Sequence, residues 1–398
     1  MSLRATDAAR IRSGSLCGQL RRLIFSVWLA ATIQRLQVAR ARAEDHFDYK
    51  YETYAEEKGR ILIRTHAALV EDALTPWLSV KGQFIYDGIS GATPTRGPPP
   101  AGSSTVPTQK IEDIRRAETF DASFHYGRHT TTPQFANSLE NDYESHAVAV
   151  NHAIDFNDKN TTLALGFAHD FDSIFPKFWR HRRARKDSND YLIGVTQAHS
   201  PRPLWSVNLT LGNASGYLSD PYKGVRFEGY PDPSALFNEK RPHHRSKQSV
   251  FTSLTQAIPR ADASVEFSYR YYHDSFEIHS HAATLEWLQK VGRHVIVAPM
   301  FRYYRQTAAS FYQPQFAGDA SDPGAFPGVV IPQYYSADYR LSEFESFTYG
   351  LSATIKIRKW LWLDAGYKRY EMLGLDGITA AGNFAKANIY TGGLRIWF

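Results

Sequence analysis

The sequence predicts an all-β protein, a transmembrane antiparallel β-barrel of sixteen strands with short turns at one end and long loops at the other. Three observations predict it. Apolar and polar residues alternate with period two over long segments. The connections fall into a tight class and a long class that alternate along most of the chain. The chain opens on an export-type segment and closes on an aromatic strand ending in Phe398.

The first element is residues 1–43, read as a signal peptide. Eight arginines (Arg4, Arg10, Arg12, Arg21, Arg22, Arg35, Arg40 and Arg42) stand against one acid, Asp7. The apolar run Leu23–Ile33 is too short to span a bilayer but suits a signal core, and Ala41-Arg42-Ala43 supplies a small-residue cleavage site. Cys17, the single cysteine, falls in this segment, so residues 44–398 carry no disulfide. The formal charge of +6 belongs to this segment, which holds +7 and leaves the body at −1. That balance gives no electrostatic footprint for nucleic acid. With a mean hydropathy of −0.41 and no apolar stretch of membrane length, a helical membrane protein is excluded. A content of 14% aromatic residues excludes disorder.

The barrel occupies 44–398. The alternation places strands at 46–56, 61–73, 77–87, 108–115, 118–127, 143–156, 161–171, 189–199, 204–213, 247–258, 262–272, 281–289, 294–307, 345–357, 360–370 and 387–397. In 346–357, Phe347, Tyr349, Leu351, Ala353, Ile355 and Ile357 share one face, and Ser, Thr, Gly and Lys share the other. Strands of about 10–13 residues exceed the usual soluble length of about 5–6. The small, polar second face fits the inner wall of a membrane barrel better than the outside of a sandwich. The span 108–115 has the poorest pattern, and fourteen strands is the alternative count. Tight turns fall at 74–76, 157–160, 200–203, 260–262, 290–293 and 358–359. Long loops fall at 88–107, 128–142, 172–188, 213–246, 309–344 and 372–386, and two short links, near 57–60 and 273–280, break the alternation. Aromatics beside the turns (Trp77, Trp205, Trp360, Trp362 and the pair Tyr303-Tyr304) read as interfacial belts.

Certain stretches resemble a known family: His46-Phe47-Asp48-Tyr49-Lys50-Tyr51 with Tyr54, Glu56 and Arg60; Leu74-Thr75-Pro76-Trp77-Leu78; Tyr86 to Thr95; and Glu140 to Ser145. The family is one of uncharacterised Gram-negative outer-membrane β-barrels, domain of unknown function 3570. The resemblance covers 44–398 and is most specific at Tyr86–Pro94 and Asn141–Ser145. It implies a barrel and an outer-membrane address, and it carries no activity and no catalytic residues.

The candidate functional residues therefore come from the pattern alone. By alternation Lys81, Asp155, Asp170, Glu266, Arg270, Arg302, Lys356, Asp364, Lys368 and Arg395 line the lumen. There they either set solute selectivity or pair across strands and close the pore. In the loop 177–186, Lys177, Arg180, Arg182, Arg183, Arg185 and Lys186 suit an anion or the phosphates of lipopolysaccharide. Tyr390, Leu394, Ile396 and Phe398 form a terminal face that suits recognition by the barrel assembly machinery. The histidines His243, His244, His273, His279 and His281 lack supporting cysteines or carboxylates, so no metal is expected. No G-x-S-x-G, phosphate loop or dinucleotide fingerprint occurs, so neither an enzyme nor a cofactor is expected. The expected function is a porin-like channel for a small solute. The alternative is a non-conducting surface or assembly protein whose long loops (213–246 and 309–344, rich in Pro, Tyr and Phe) fold inward or bind a partner. A hydrolase is a third reading with no motif behind it. The expected partners are outer-membrane lipid, lipopolysaccharide and the assembly machinery, without nucleic acid.

Overall fold

The computed structural model describes residues 45–94, 105–175, 183–199, 203–220, 223–232, 235–322 and 324–398. The expected signal peptide, with Cys17, lies outside them. Sixteen strands close into one antiparallel barrel. In chain order they are β1 (His46–Glu56), β2 (Ile61–Thr75), β3 (Leu78–Pro94), β4 (Thr108–Tyr126), β5 (His129–Leu139), β6 (Tyr143–Phe156), β7 (Thr161–Ile174), β8 (Ala184–Ala198) and β9 (Leu204–Gly216). A two-residue ladder, β10 (Gly224–Val225) with β11 (Phe237–Asn238), follows in a loop. The barrel resumes with β12 (His244–Ile258), β13 (Ala263–Asp274), β14 (His279–Val291), β15 (Val295–Gln306), β16 (Phe344–Arg358), β17 (Leu361–Gly374) and β18 (Lys386–Trp397).

Closure is made by β1 against β18, paired from His46↔Trp397 to Glu56↔Ala387. Within the seam the Arg395 guanidinium grips Asp48 through two hydrogen bonds of 2.6 and 2.7 Å. Just below it the Phe398 N–H donates to the Asp45 carbonyl. Closure matters because a strand edge in a bilayer would leave a row of unpaired N–H and C=O groups.

Once the sheet is closed, period two divides every strand into a lipid face and a lumen face. Val70, Phe84, Leu165, Ile193, Leu285 and Leu351 stand exposed on the outer surface as the apolar band. Among the belt aromatics Trp77, Trp205 and Trp360 are exposed. Trp362 and Tyr304 are not part of the belt. Register puts Trp362 opposite Lys356 and Arg395, and Tyr304 opposite Ala282 and Ser346, on the inner face. Nearness to a turn does not set a side chain's face; parity does.

The strand count agrees with the sequence reading, but two of its strands are drawn differently. Residues 108–115 and 118–127 are one strand, β4, of 19 residues. The expected long loop 128–142 is instead a tight Gly127-Arg128 turn, the strand β5 and a short link at 140–142. Gly127 takes the left-handed conformation (φ 59°) that such a turn needs. The two changes cancel in the count. Pro133 and the Thr130–Thr132 run hide β5, because a proline inside a run argues against a strand. Pro133 nevertheless sits in register opposite Val150.

The β2–β3, β4–β5, β6–β7, β8–β9, β12–β13, β14–β15 and β16–β17 junctions share the end that holds both chain ends of the barrel. The opposite, loop end holds the β1–β2, β3–β4, β5–β6, β7–β8, β9–β12, β13–β14, β15–β16 and β17–β18 junctions. At the loop end Gly91 is tied to its position. Its φ is 116°, and a Cβ there would lie 1.7 Å from the Arg60 carbonyl oxygen.

The revised hairpin is testable by labelling. A cysteine replacing Arg128 and one replacing Asn141 are expected to react with an impermeant thiol reagent from opposite sides of the membrane. Labelling of both from the same side would contradict the turn at Gly127-Arg128.

Candidate functional site

The ten charges expected in the lumen all fall on the face opposite the apolar band. Register ties them together: Asp48 opposes Arg395, Lys81 opposes Glu71 and Asp121, Glu266 opposes Glu286, and Thr354 opposes Asp364. Their contacts run across strands rather than along them. Lys81 Nζ lies 3.6 Å from Glu71. Thr162 Oγ1 donates to Asp155 at 2.7 Å, and Thr354 Oγ1 donates to Asp364. The Arg270 guanidinium lies over the Phe251 ring at 5.1 Å, and the Lys356 ammonium over Trp362 at 4.4 Å.

The wall between these charges is built of small residues, among them Ala149, Gly166, Ala168, Gly194, Ser253, Ser268, Thr284 and Ser352. Lys50 marks the consequence. It faces inward, opposite Ala67 and Gly393, yet its side chain is 56% exposed. Water therefore reaches the inner wall at the height of Lys50.

At the loop end, the described residues of 217–243 and 307–343 fold together into a cap. Backbone hydrogen bonds lace them: Glu228 N–H to Phe316 O, Gly229 N–H to Gly318 O, and Lys240 and Tyr335 in both directions. Val225, Phe227 and Phe316 form its core, with Phe237 and Tyr335 packed against them. Beneath lies a buried network of six charges. Arg340 donates to Asp338 and, at 2.5 Å, to Asp220. Arg241 reaches Asp338 at 2.8 Å and Glu239 at 2.7 Å. Ser336 Oγ donates to Glu239 at 2.5 Å. Lys223 donates to the Pro94 carbonyl at 2.7 Å, at the loop end of β3. Its loop leaves from β9, six strands away around the barrel, so the cap crosses the mouth.

Other links weld the cap to the rim. Gln306 donates to the Arg340 and Ser342 carbonyls. Tyr312 and Thr379 hydroxyls meet at 2.6 Å, and Phe276 packs with Leu341 and Tyr312; on the rim itself Arg60 donates to Gly382 O at 2.7 Å.

Burial governs the electrostatics of the cap. It pushes the Glu239 carboxyl up to about 7, against the pull of Arg241 and with the repulsion of Asp220 and Asp338. Burial would raise Asp338 as well, but Arg340, Lys223 and Arg241 outweigh it and hold that carboxyl well below the usual range. Burial lowers the Lys223 ammonium. None of these six residues was singled out from sequence. The available signal was the pair of charged triplets Glu239-Lys240-Arg241 and Asp338-Tyr339-Arg340 inside aromatic loops.

The basic loop divides. Lys177, Arg180 and Arg182 lie outside the described residues. Arg183 donates to Ser173 Oγ and lies 3.7 Å from Glu144, and Arg185 stands exposed on the outer face. Lys186 is a correction. It belongs to β8, faces inward and donates to Asp172 at 2.7 Å and to Tyr143 at 3.2 Å, so it is not an outward anion contact. Parity turned it over once the strand began at Ala184 rather than 189.

The terminal face is outward: Tyr390 and Phe398 are exposed, with Leu394 and Ile396 on the same side as Tyr390. His273, His279 and His281 also face outward. His273 stacks on His279 at 4.2 Å, while the Tyr271 and Tyr269 hydroxyls bond His279 and His281. His243 bonds the Gly216 carbonyl. Among the described residues one carboxylate trio has ligand spacing, Asp113, Glu140 and Asp142, with oxygens within 4.8 Å. Asn141 donates to Asp113 at 2.6 Å there. The trio lies at the loop end, where Asp113 stands opposite Ile89 in the ladder and Asp142 belongs to the Asn141–Ser145 stretch.

Solved structures match this chain at low similarity. A siderophore receptor, PirA of Pseudomonas aeruginosa, is 11% identical with a TM-score of 0.43, over 89% of this chain and 62% of that one. A bacterial polysaccharide outer membrane secretin is 9% identical with a TM-score of 0.47, over 89% and 98%. OmpT, an outer membrane protein of Vibrio cholerae, is 9% identical with a TM-score of 0.42, over 89% and 96%. The chain thus spans about three fifths of the length of the siderophore receptor. No curated protein sequence matches. One family model does, over residues 23–183 and 171–396, described as a protein of unknown function (DUF3570).

Two predictions follow from the charge network of the cap. Arg340→Ala leaves Asp338 and Asp220 buried beside less positive charge, at a cost of about 3–5 kcal/mol. Limited proteolysis is expected to cut 307–343 at least tenfold faster in this variant, and an unchanged rate would contradict the latch. Because the closed cap raises Glu239 above the carboxyl value it would have in water, its contribution is complete below the ordinary carboxyl range. It declines as the pH rises and is lost above about 7. Protease protection is therefore expected to weaken from pH 5 to pH 8, and Glu239→Gln to flatten that change.

Proposed function

The chain belongs to the DUF3570 family of proteins of unknown function, and we propose that it is an outer-membrane passage for small polar solutes, covered at its outer mouth by the loop cap. The observation that carries this reading is Lys50, inward-facing and more than half exposed within a closed wall. A sixteen-stranded barrel is wide enough to leave an aqueous channel. Lumen charges then set selectivity by their sign and position. The apolar outer band and the segregation of short turns from long loops support insertion with the turn end in the periplasm and the cap outside.

In this arrangement Arg183 and Arg185 lie at the level of lipopolysaccharide phosphates, with Lys177, Arg180 and Arg182 in the same loop by sequence. The outward face of Tyr390, Leu394, Ile396 and Phe398 is available to the assembly machinery. The passage needs no catalytic group.

The cap favours a second reading, a sealed barrel that displays its loops to a partner. Conductance separates the two. The refolded chain in a planar bilayer is expected to give discrete current steps. Arg340→Ala, which loosens the cap, is expected to raise the conductance or the open time at least twofold. Silence from both proteins, shown to be folded by heat-modifiable gel mobility, would overturn the channel.

A further inference from the structure

The inner wall sorts its charge by side. Among the described residues, the inner faces of β5–β9 carry Asp155, Asp170, Asp172 and Asp190. Their one cation is Lys186, which is bonded to Asp172. Further around the barrel, β13, β15 and β17 carry Arg270, Arg302 and Lys368 on the inner face; β17 stands opposite β7, eight strands away, with β15 six strands from β7 and β13 three strands from β8. Each stands seven residues in from the turn end of its strand, so the three share one level. Asp170 and Asp190 stand nine and eight residues in from theirs, at nearly the same level. Of the acids on the basic side, Glu266, Glu286 and Asp364 lie nearer the turn end, Glu286 within electrostatic reach of Lys368, and Asp274 lies at the loop end, held by Arg245.

The strands between the three cations present Ala282, Thr284, Thr348 and Gly350, which keep the wall open beside them. At Gly350 a Cβ would lie 2.6 Å from the Lys368 side chain, so glycine leaves room for it. All five charges at this level are partly reached by solvent.

Opposite signs on two sides of a water-filled tube with low-dielectric walls produce a field across the axis rather than along it. A pure anion or cation is attracted by one side and repelled by the other. An uncharged polar solute gains only the weaker interaction of its smaller dipole. A solute with both charges gains from both, by turning its ammonium toward Asp170 and Asp190 and its carboxylate toward Arg270, Arg302 and Lys368.

We propose that the passage favours small zwitterionic solutes, of the size and chemistry of amino acids or short peptides, oriented by this transverse charge separation. The proposal rests on the channel reading and names the solute class for it.

The test is entry into proteoliposomes at low ionic strength, comparing alanine with its uncharged isomer lactamide and with lactate. Alanine is expected to enter at least twofold faster than lactamide and faster than lactate. Asp170→Asn with Asp190→Asn should bring the alanine-to-lactamide ratio to about one, and so should Arg302→Gln with Lys368→Gln. The second pair keeps the test sharp if the first does not fold. Salt at about 1 M, where the screening length is about 3 Å, should also remove the preference. A ratio of one in the unaltered protein, or lactate fastest, would overturn the zwitterion preference and leave the channel standing. A folded barrel that admits none of the three would overturn both.

Discussion

The pairing of β1 with β18 is the constraint on which the rest of this structure depends. In a bilayer no water is available to satisfy a free strand edge, so the sheet must close on itself. The seam carries that requirement across the widest sequence separation in the barrel, reinforced by Asp48 with Arg395. Closure gives an inside and an outside. Period two then assigns each side chain to one of them, so that Leu351 meets lipid while Gly350 and Ser352 meet the lumen. Asp48, Lys81 and Asp364 find their partners on the next strand of the ladder rather than within their own, whereas Glu266 faces Glu286.

The cap solves a different problem. Loops of this length without regular structure cost conformational entropy, and these two recover it by burying Phe227, Phe316 and Tyr335 and by joining six charges. Buried ion pairs are weak evidence of stability but demanding in geometry. Here they fix one loop on the other and, through Lys223, on the far rim. The mouth is therefore covered by an assembly joined through a few charged residues. Toward the turn end the inner wall is open to solvent at Lys50.

Much of the barrel was legible in the sequence, and the misreadings have physical causes. Parity is rigid, so the ten lumen charges follow from alternation once a strand is placed. Boundaries are less legible beyond the membrane, where the outer face need not be apolar. Thus Thr108–Arg115 alternates poorly although it continues β4, and Lys186 passes for loop although it begins β8. Strand β5 was hidden by Pro133, which occupies the ladder at the loss of one possible donor. The cap network had no local signature. Arg340 and Asp220 are 120 residues apart, and Arg241 and Asp338 are 97 apart. Only the folding of two loops onto each other brings them together. The resemblance to a family without known activity conveyed the fold and nothing of the chemistry inside it.

The central claim is a water-filled lumen inside a lipid-facing wall, and side-specific thiol chemistry tests it most directly. In a chain with Cys17 replaced by serine, Lys50→Cys and Val70→Cys would each be exposed to a small membrane-impermeant thiol reagent after folding into vesicles. The account predicts rapid reaction at position 50, inside the barrel, and protection at position 70, in the lipid. Protection at both positions would mean that the lumen is filled. Reaction at 70 with protection at 50 would mean that the faces have been assigned the wrong way round.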